Sequence, residues 1–338
     1  MSTYAYVLMT AMPPTLGHLD LIRFAHALTP HTTVIVATQP GEPYTRERVA
    51  TLNDAVKDLA GVRVAHIHKT LPQEPEGHEG FWDMWVELLT THGFEKGDYI
   101  VASEDYGRTL AEHAGGVFMP YDLDRSIRYT KATDVRRNPS KHFDQMLPEF
   151  RKLFQRRITL FGAESVGKTT MSKALPGHTL FEWARPYLEQ VGAEVTTQKM
   201  NRIWHGQRAL QDSADYYRGE HIIQDTDLFS TLGYWEMYSP DTVPVGLELD
   251  AQQRRSDLYV ILGSTIPFEP DQLRYGGDIR ETTDAYWIYL CEKHNLQYVY
   301  ITESELHLRE LAVRSAIADR LPAPELWFLR EGSEYLSN

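Results

Sequence analysis

The feature that most restricts the fold of this chain is the segment GAESVGKT at residues 162–169. It matches the pattern G-x-x-x-x-G-K-[ST], with a strand-like run at 157–161 before it and a helical run after it, which is the context that the pattern requires. Gly162 and Gly167 allow successive backbone N–H groups to point at phosphate oxygens. The segment therefore predicts a phosphate-binding loop; the alternative is a glycine turn that happens to precede a lysine.

The side chains of this loop indicate which phosphates it binds. Lys168 is expected to bridge the β- and γ-phosphates of ATP, and the hydroxyl of Thr169 is expected to ligate Mg²⁺. Ser165 and Thr170 complete the predicted nucleotide-binding set. A helix that begins here adds the positive end of its dipole.

Strand-like and helical runs alternate twice along the chain. This alternation predicts an α/β protein with two parallel sheets, each with ligands at the carboxyl ends of its strands. Between the two rounds, a polar stretch that contains Pro139 and Pro148 is predicted to be a junction. The expected strands are 4–10, 33–38, 62–67 and 99–103, then 157–161, 179–182, 221–225, 258–262 and 298–301. The expected domain limits are 1–139 and 157–338, with a linker at 140–156.

Charge and cysteine content exclude several classes of protein. The formal net charge of −13 over 338 residues argues against a dedicated nucleic-acid binder. With Cys291 as its single cysteine, the chain has no internal disulfide and no cysteine-rich zinc site. No apolar run is long enough to span a bilayer, and residues 1–10 do not resemble a signal peptide. We expect a cytoplasmic enzyme without nucleic-acid or membrane partners; a homo-oligomer remains open.

Three carboxylates near the predicted strand ends are candidates for phosphoryl transfer in the second half. Asp225 or Asp227 could order Mg²⁺ or bind a substrate hydroxyl. Glu182, followed by Arg185, could accept the proton of an attacking hydroxyl. The alternative for each acid is a helix N-cap or a solvated loop charge.

A glycine- and arginine-rich stretch at 271–280 has the composition of a mobile lid. Its residues Arg274 and Arg280 could close over the transferring phosphoryl group. A plain surface loop is the alternative.

The first half carries the tetrapeptide TLGH at 15–18, between the first predicted strand and the first predicted helix. Thr15 and Gly17 are placed to let phosphates approach the helix N-terminus. His18 could donate a hydrogen bond to a phosphate oxygen as pyrophosphate leaves. The alternative is a histidine that only caps the helix.

A second element of the first half lies at 130–139. Thr133 could cap a helix whose N-terminus faces triphosphate, and Arg136 could neutralise that charge. An ordinary capped helix with a solvated basic edge is the alternative.

Taken in order, these motifs resemble the NadR-type bifunctional proteins, which join a nicotinamide mononucleotide adenylyltransferase to a ribosylnicotinamide kinase. TLGH at 15–18 is similar to the (H/T)-x-G-H signature of nucleotidyltransferases, and the segment 131–139 resembles an S-x-T-x-I-R-x-x-P element. Further similarities are SEDYG at 103–107, EWARPY at 182–187 and DTD at 225–227. The resemblance implies a Rossmann-like nucleotidyltransferase domain followed by a P-loop kinase domain.

The resemblance also implies the substrates. The kinase half would phosphorylate nicotinamide riboside with ATP and Mg²⁺, and the other half would join nicotinamide mononucleotide to ATP, giving NAD and pyrophosphate. Trp82 and Trp85 lie where relatives keep aromatic residues near the nicotinamide, whose cationic ring would stack on indole. Their spacing equally fits the core seam of an amphipathic helix.

Three positions depart from the family pattern. Met9 and Ala11 replace a glycine and a phenylalanine, and Lys131 replaces the serine of the second element. These changes motivate an alternative in which only the kinase is active and the first domain senses NAD or another nucleotide. A regulatory P-loop ATPase is a third possibility. Because the first strand begins by residue 4, a repressor role is not expected.

Overall fold

The structure is a computed structural model that describes residues 3–72, 75–76, 78–214, 217–268 and 280–322, without the side chains of 280–282. The described chain divides into two compact units. Unit 1 contains the described residues up to Leu153, and unit 2 contains those from Phe154 onward.

Unit 1 is built on a five-stranded parallel sheet with the strand order β3-β2-β1-β4-β5. β1 and β2 are buried along their whole length, as expected of central parallel strands that helices cover on both faces. Its elements are β1 (Ala5–Met9), α1 (Leu16–Leu28), β2 (Thr32–Thr38), α2 (Thr45–Val56), β3 (Val62–His68), α3 (Phe81–Thr91), β4 (Tyr99–Ala102), α4 (Tyr106–Ala114), β5 (Val117–Pro120), α5 (Ala132–Arg137), a 3₁₀ turn (Phe143–Gln145) and α6 (Pro148–Arg151).

Unit 2 is built on a second five-stranded parallel sheet, with the strand order β10-β9-β6-β8-β7. Separate apolar clusters cover the two faces of this sheet; one includes Trp235 and Trp287, the other Val166 and Val313. Its elements are β6 (Arg156–Phe161), α7 (Lys168–Ala174), β7 (His178–Leu180), α8 (Ala184–Val191), α9 (Thr197–Ser213), β8 (His221–Gln224), α10 (Leu228–Tyr238), α11 (Val245–Gln253), β9 (Leu258–Leu262), α12 (Arg280–Lys293), β10 (Tyr298–Ile301) and α13 (Leu306–Arg320).

The fold class predicted from the alternating pattern is confirmed, because each unit is a parallel sheet wrapped by helices. The short edge strand β5 was missed. Its burial is irregular, so it lacks the continuous apolar run that marks β1 and β2.

The segment predicted to be a linker, 140–156, is folded and buried. Phe143, Met146, Leu147 and Phe150 are each at most 3% exposed. The backbone N–H of Leu147 donates a 2.9 Å hydrogen bond to the carbonyl of Pro14, so the segment packs on unit 1. Polar residues and prolines mark this stretch in the sequence, but its apolar side chains are the ones that pack. We therefore propose the domain boundary at Leu153 and Phe154.

No helix among the described residues is long and apolar enough to cross a membrane. The predicted lid at 271–280 and the predicted irregular tail at 327–338 lie outside the described residues, apart from the backbone of Arg280 at the start of α12.

Candidate active sites

The loop at 162–169 leads from β6 into α7 through backbone angles that favour glycine. Gly162 has φ 136° and Gly167, the N-cap of α7, has φ 88°. A Cβ on Gly162 would lie 2.5 Å from the carbonyl oxygen of Leu262 on the neighbouring strand β9. Ser165, with φ 61°, is also in the left-handed region. The loop therefore needs its glycines both for conformation and for close packing on the sheet.

Lys168 and Thr169, the two residues predicted to contact ATP and Mg²⁺, each bond to protein oxygens at the loop. The Nζ of Lys168 lies 2.9 Å from the carbonyl oxygen of Gly162 and 2.8 Å from that of Ala163. The hydroxyl of Thr169 donates a 2.6 Å hydrogen bond to Oδ2 of Asp225. This contact is possible because Asp225 directly follows β8, which pairs with β6.

Asp225 has an unused buried oxygen beside Thr169. Its side chain is 2% exposed, and Oδ1 has no hydrogen-bond partner among the described residues. Burial raises the pKa of Asp225, which the Thr169 hydroxyl and Lys168 partly oppose. A buried carboxylate with an unused oxygen needs a cation or a proton, and a hydroxyl with a carboxylate is a common partial ligand set for Mg²⁺.

A cavity of about 180 Å³ opens beside the loop, and both polar and apolar residues line it. The lining residues from the loop and from the segment after β7 include Ser165, Gly167, Lys168, Thr169, Thr170, Glu182 and Arg185. Aliphatic and aromatic lining residues are Leu188, Val195, Met200, Ile203, Tyr234 and Tyr238. The structure thus places Glu182 and Arg185 in the same cavity as the predicted phosphate-binding residues.

Glu182 is the carboxylate best placed to act on an acceptor in this cavity. Burial raises its pKa to about 6, with Lys168 acting in the opposite direction and Asp225 in the same one. The following residue is fixed by a 3.1 Å hydrogen bond from the backbone N–H of Trp183 to Gln207. A carboxylate with a pKa near 6 is ionised at neutral pH yet more basic than a solvated one, as a general base requires.

Asp227 is held by contacts that cap a helix, so its predicted catalytic role gains no support from the structure and stays a prediction. It is the N-cap of α10, and its Oδ1 accepts a 2.8 Å hydrogen bond from the backbone N–H of Ser230. Its Oδ2 accepts a 2.9 Å hydrogen bond from the hydroxyl of Tyr259. The side chain is 1% exposed and does not line the cavity. The capping alternative is therefore the one that the structure supports.

Sequence reasoning missed many of the residues that line the cavity, among them Gln207, Tyr234 and Tyr238. The hydroxyl of Tyr238 donates a 3.2 Å hydrogen bond to Oε1 of Glu164, within the phosphate-binding loop. The spacing of the two tyrosines, one helical turn apart on α10, was the available signal, although an amphipathic helix shows the same spacing.

A separate candidate site lies in unit 1. It is at the carboxyl ends of β1 and β4, where the strand order of the sheet reverses. Thr15 is the N-cap of α1, and its backbone N–H donates a 3.0 Å hydrogen bond to Nδ1 of His18. Because Nδ1 is the acceptor, the proton of the neutral ring lies on Nε2. Burial lowers the pKa of His18 to about 4, assisted by Arg125 and Arg136. His18 is therefore a neutral hydrogen-bond donor near pH 7.

Arg136 and Thr133 support the loop that precedes His18. The Nη1 of Arg136 donates a 2.6 Å hydrogen bond to the carbonyl of Met12, and its Nη2 donates one of 3.0 Å to the hydroxyl of Thr133. Lys131, not Thr133, is the N-cap of α5, and Thr133 is the second residue of the helix. The predicted capping role of Thr133 is corrected, because the chain turns into the helix two residues earlier.

Gly17 lies under an arginine that the motifs did not predict. A Cβ at this position would come within 3.3 Å of the Cδ of Arg128. The Nε of Arg128 donates a 2.6 Å hydrogen bond to Oδ2 of Asp20, and its Nη1 donates one of 3.2 Å to Gln145. A glycine at 17 therefore leaves room for this arginine over the first turn of α1.

Trp82 and Trp85 pack against the apolar cluster that includes Tyr6, Ile35 and Leu89. Trp82 is stacked on His113, with ring centroids 5.6 Å apart and 17° between the planes. These contacts favour the core-seam alternative for the two residues, whose predicted role in substrate binding stays a prediction. The two substrate-binding arginines of the predicted lid, Arg274 and the Arg280 side chain, lie outside what the structure describes.

Both halves of the chain match known families. Residues 157–309 match the AAA domain family, and residues 11–160 match the cytidylyltransferase-like family. The trifunctional NAD biosynthesis/regulator protein NadR of Escherichia coli (strain K12) is 25% identical over 284 residues, which cover 80% of this chain and 68% of that protein. NadR of Salmonella typhimurium (strain LT2) is 24% identical over 278 residues, 78% of this chain and 67% of its own. Across both halves, the chain is similar in sequence to NadR.

The fold of the chain is similar to the folds of two solved NadR structures. A crystal structure of NadR in complex with NR has a TM-score of 0.60 at 19% identity, with 95% of this chain and 97% of the other covered. NadR in complex with NAD and AMP-PNP has a TM-score of 0.58 at 20% identity over the same shares of the two chains.

Ala11 and Met9, two of the three residues that differ from the NadR-type pattern, are buried in the core of unit 1. Ala11 is fully buried and has φ 47°, a conformation that costs an alanine about 1 kcal/mol. Met9 ends β1 within the same core cluster. Both residues therefore contribute to the packing of the core of unit 1.

Proposed function

We propose that this chain is a NadR-type bifunctional transferase of NAD salvage. Unit 2 phosphorylates nicotinamide riboside with ATP to give nicotinamide mononucleotide. Unit 1 transfers the adenylyl group of a second ATP to nicotinamide mononucleotide and releases pyrophosphate, giving NAD. A cytoplasmic location fits this proposal.

The observation that carries the kinase assignment is that Lys168, Thr169 and Glu182 line one cavity. Asp225 is tied to this cavity by the hydrogen bond that it accepts from the Thr169 hydroxyl. Lys168 supplies charge to the phosphates, and Glu182 accepts the proton of the riboside 5′-hydroxyl. The aliphatic and aromatic residues that also line the cavity suit the base of the riboside. Phosphoryl transfer needs positioning and charge neutralisation rather than a covalent intermediate, and this inventory of groups supplies both.

Mg²⁺ fits the residues of this site. The unused, buried Oδ1 of Asp225 lies beside the hydroxyl of Thr169, and together they would hold the ion directly or through its water ligands. When bound, the ion neutralises charge on the β- and γ-phosphates. Ser165 and Thr170 remain proposed nucleotide contacts and Arg185 a proposed substrate contact.

The proposal that unit 1 transfers an adenylyl group rests on the neutral state of the His18 ring. Its Nε2–H is directed away from the backbone bond that Nδ1 accepts, so it can donate to a phosphate oxygen as pyrophosphate leaves. Thr15 and Gly17 form the first turn of α1, whose N-terminus adds further donors. Arg136 acts by holding the loop through Met12 and adds positive charge behind it.

Incubation of the purified chain with ATP, Mg²⁺ and nicotinamide riboside, with separation of the products, tests both steps. We expect nicotinamide mononucleotide, NAD, ADP and pyrophosphate to accumulate. Nicotinamide mononucleotide without NAD or pyrophosphate, also when the mononucleotide is supplied, would favour the sensor alternative. ATP hydrolysis that does not depend on the riboside would favour the regulatory ATPase.

A further inference from the structure

In unit 1, the carboxylate of Glu104 lies beside two cationic side chains. The Nη2 of Arg125 lies 3.2 Å from Oε1 of Glu104, and the Nζ of Lys131 lies 3.8 Å from the same oxygen. The side chains of Arg125, Lys131 and Glu104 are 24%, 49% and 54% exposed. Asp122 is a second carboxylate that interacts with Arg125.

The cluster lies at the ligand-binding edge of the sheet. Glu104 follows β4 by two residues, and β4 pairs with β1, after which α1 carries His18. Ligands of open parallel sheets bind where the strand order reverses, which in unit 1 is between β1 and β4. Arg125 is close enough to His18 to act on its ionisation.

The loop that carries Arg125 is held in place before any ligand arrives. The carboxylate of Asp122 accepts hydrogen bonds from the backbone N–H groups of Ile127 (2.8 Å) and Arg128 (3.0 Å). Asp122 and Arg125 have φ of 49° and 57°, a left-handed conformation that is unfavourable for residues other than glycine. A charged side chain on a rigid, strained loop at a ligand edge is pre-organised for binding.

We propose that Arg125 binds the phosphates of ATP in unit 1 and that Glu104 is its exchangeable counter-ion. The inference rests on the proposed adenylyl transfer and adds a residue to it. When ATP binds, the phosphate replaces the carboxylate of Glu104 on Arg125, and Lys131 provides a second positive charge. Arg128 does not share this role, because Asp20 and Gln145 already occupy its guanidinium.

Two variants of the full chain test the exchange in opposite directions. Both are made in a Lys168→Ala background, where ATP binding at the P-loop is disabled, and ATP binding in the presence of Mg²⁺ is measured by titration calorimetry. Arg125→Met should weaken binding at least about tenfold, because a charge-assisted hydrogen bond is lost. Glu104→Gln should tighten it about two- to fivefold, the scale of an exposed ion pair that no longer competes.

The exposed pair Lys57 and Asp54, 2.9 Å apart at the end of α2, provides matched controls. Lys57→Met and Asp54→Asn remove the same kinds of charge and should leave ATP binding unchanged. Unchanged binding in Arg125→Met, or weaker binding in Glu104→Gln, overturns the proposal, as does a Lys168→Ala chain that binds no ATP. If binding depends on Arg125 but the unmodified chain releases no pyrophosphate from ATP and nicotinamide mononucleotide, adenylyl transfer fails while the binding site stands.

Discussion

The hydroxyl of Thr169 lies 2.6 Å from Oδ2 of Asp225, although 56 residues separate the two along the chain. The contact exists because β6 and β8 are parallel neighbours, so the loops after them meet at the same edge of the sheet. The second oxygen of Asp225 has no hydrogen-bond partner among the described residues. This relationship defines the proposed Mg²⁺ position.

Asp225→Asn is expected to weaken Mg²⁺ binding, so that riboside phosphorylation needs a higher Mg²⁺ concentration. It should also lower turnover about a hundredfold or more, since a charged oxygen at the ion is lost. Titration of kinase activity with Mg²⁺ measures both effects. Asp212→Asn, which removes an exposed carboxylate paired with Arg254, is the control and should behave as the unmodified chain. Identical Mg²⁺ curves for the two variants would remove Asp225 from the ion site.

Lys168→Ala should abolish riboside phosphorylation while the fold is kept. The side chain carries the charge that the β- and γ-phosphates require, and loss of one such group costs on the order of a hundredfold or more. NAD formation from supplied nicotinamide mononucleotide should survive, because it is assigned to unit 1. Near-normal kinase turnover in the variant would contradict the P-loop assignment.

The pH dependence of kinase activity should reflect the ionisation of the Glu182 carboxyl group. A general base must be ionised, and burial raises the pKa of Glu182 to about 6. We expect kcat/KM for the riboside to be level above about pH 7 and to fall about tenfold per pH unit below the pKa. Glu182→Gln should lose this acid limb together with about a hundredfold or more of the activity.

Glu194→Gln is the matched control for this profile, since Glu194 is an exposed carboxylate of unit 2 that does not line the cavity. It should keep the acid limb. A limb that also persists in Glu182→Gln would assign the ionisation to another group.

Asp227 should affect stability more than chemistry. Asp227→Ala removes the N-cap of α10, which is expected to cost about 1–2 kcal/mol of the free energy of unfolding. It also leaves the buried hydroxyl of Tyr259 without its acceptor, at a further cost of about 1–3 kcal/mol. Thermal unfolding and kinase turnover of the folded fraction separate the two roles. A stable variant with turnover lost would return Asp227 to the catalytic set.

Some parts of these sites could be predicted from sequence because they are local. The P-loop is a contiguous motif whose glycines, lysine and threonine each have one physical reason to be there. In the structure, Gly162 and Gly167 have positive φ and Thr169 bonds to Asp225. Thr15 and His18 are also local, since they are joined across one helical turn.

Other parts depend on where elements begin and on which strands pair. Asp225 and Asp227 lie two positions apart in the sequence. Asp225 directly follows strand β8, whereas Asp227 caps helix α10. Their roles separate only when that boundary is known. Arg125 has no motif of its own, and its place beside Glu104 follows from the pairing of β4 with β1 and from the Asp122 loop.

His18→Ala is expected to stop pyrophosphate release from ATP and nicotinamide mononucleotide and to leave riboside phosphorylation intact. One lost pre-organised donor typically costs on the order of a hundredfold or more, about 3 kcal/mol of barrier. Because the pKa of His18 is lowered to about 4, its ring stays neutral between pH 5 and 8, and His18 itself should impose no acid limb on adenylyl transfer in that range. Paired assays of both half-reactions on one protein sample measure the selectivity.

His31→Ala is the matched control, since this exposed histidine stacks on Tyr4 away from the α1 N-terminus and should leave both reactions unchanged. Equal loss of both activities in His18→Ala would indicate a folding defect, because the histidine also bonds the backbone of Thr15. His18→Asn separates the cases: its shorter amide can still accept that backbone hydrogen bond at the N-cap turn, while its donor no longer reaches where Nε2 lies. A well-folded His18→Asn protein with full pyrophosphate release would show that His18 only caps α1.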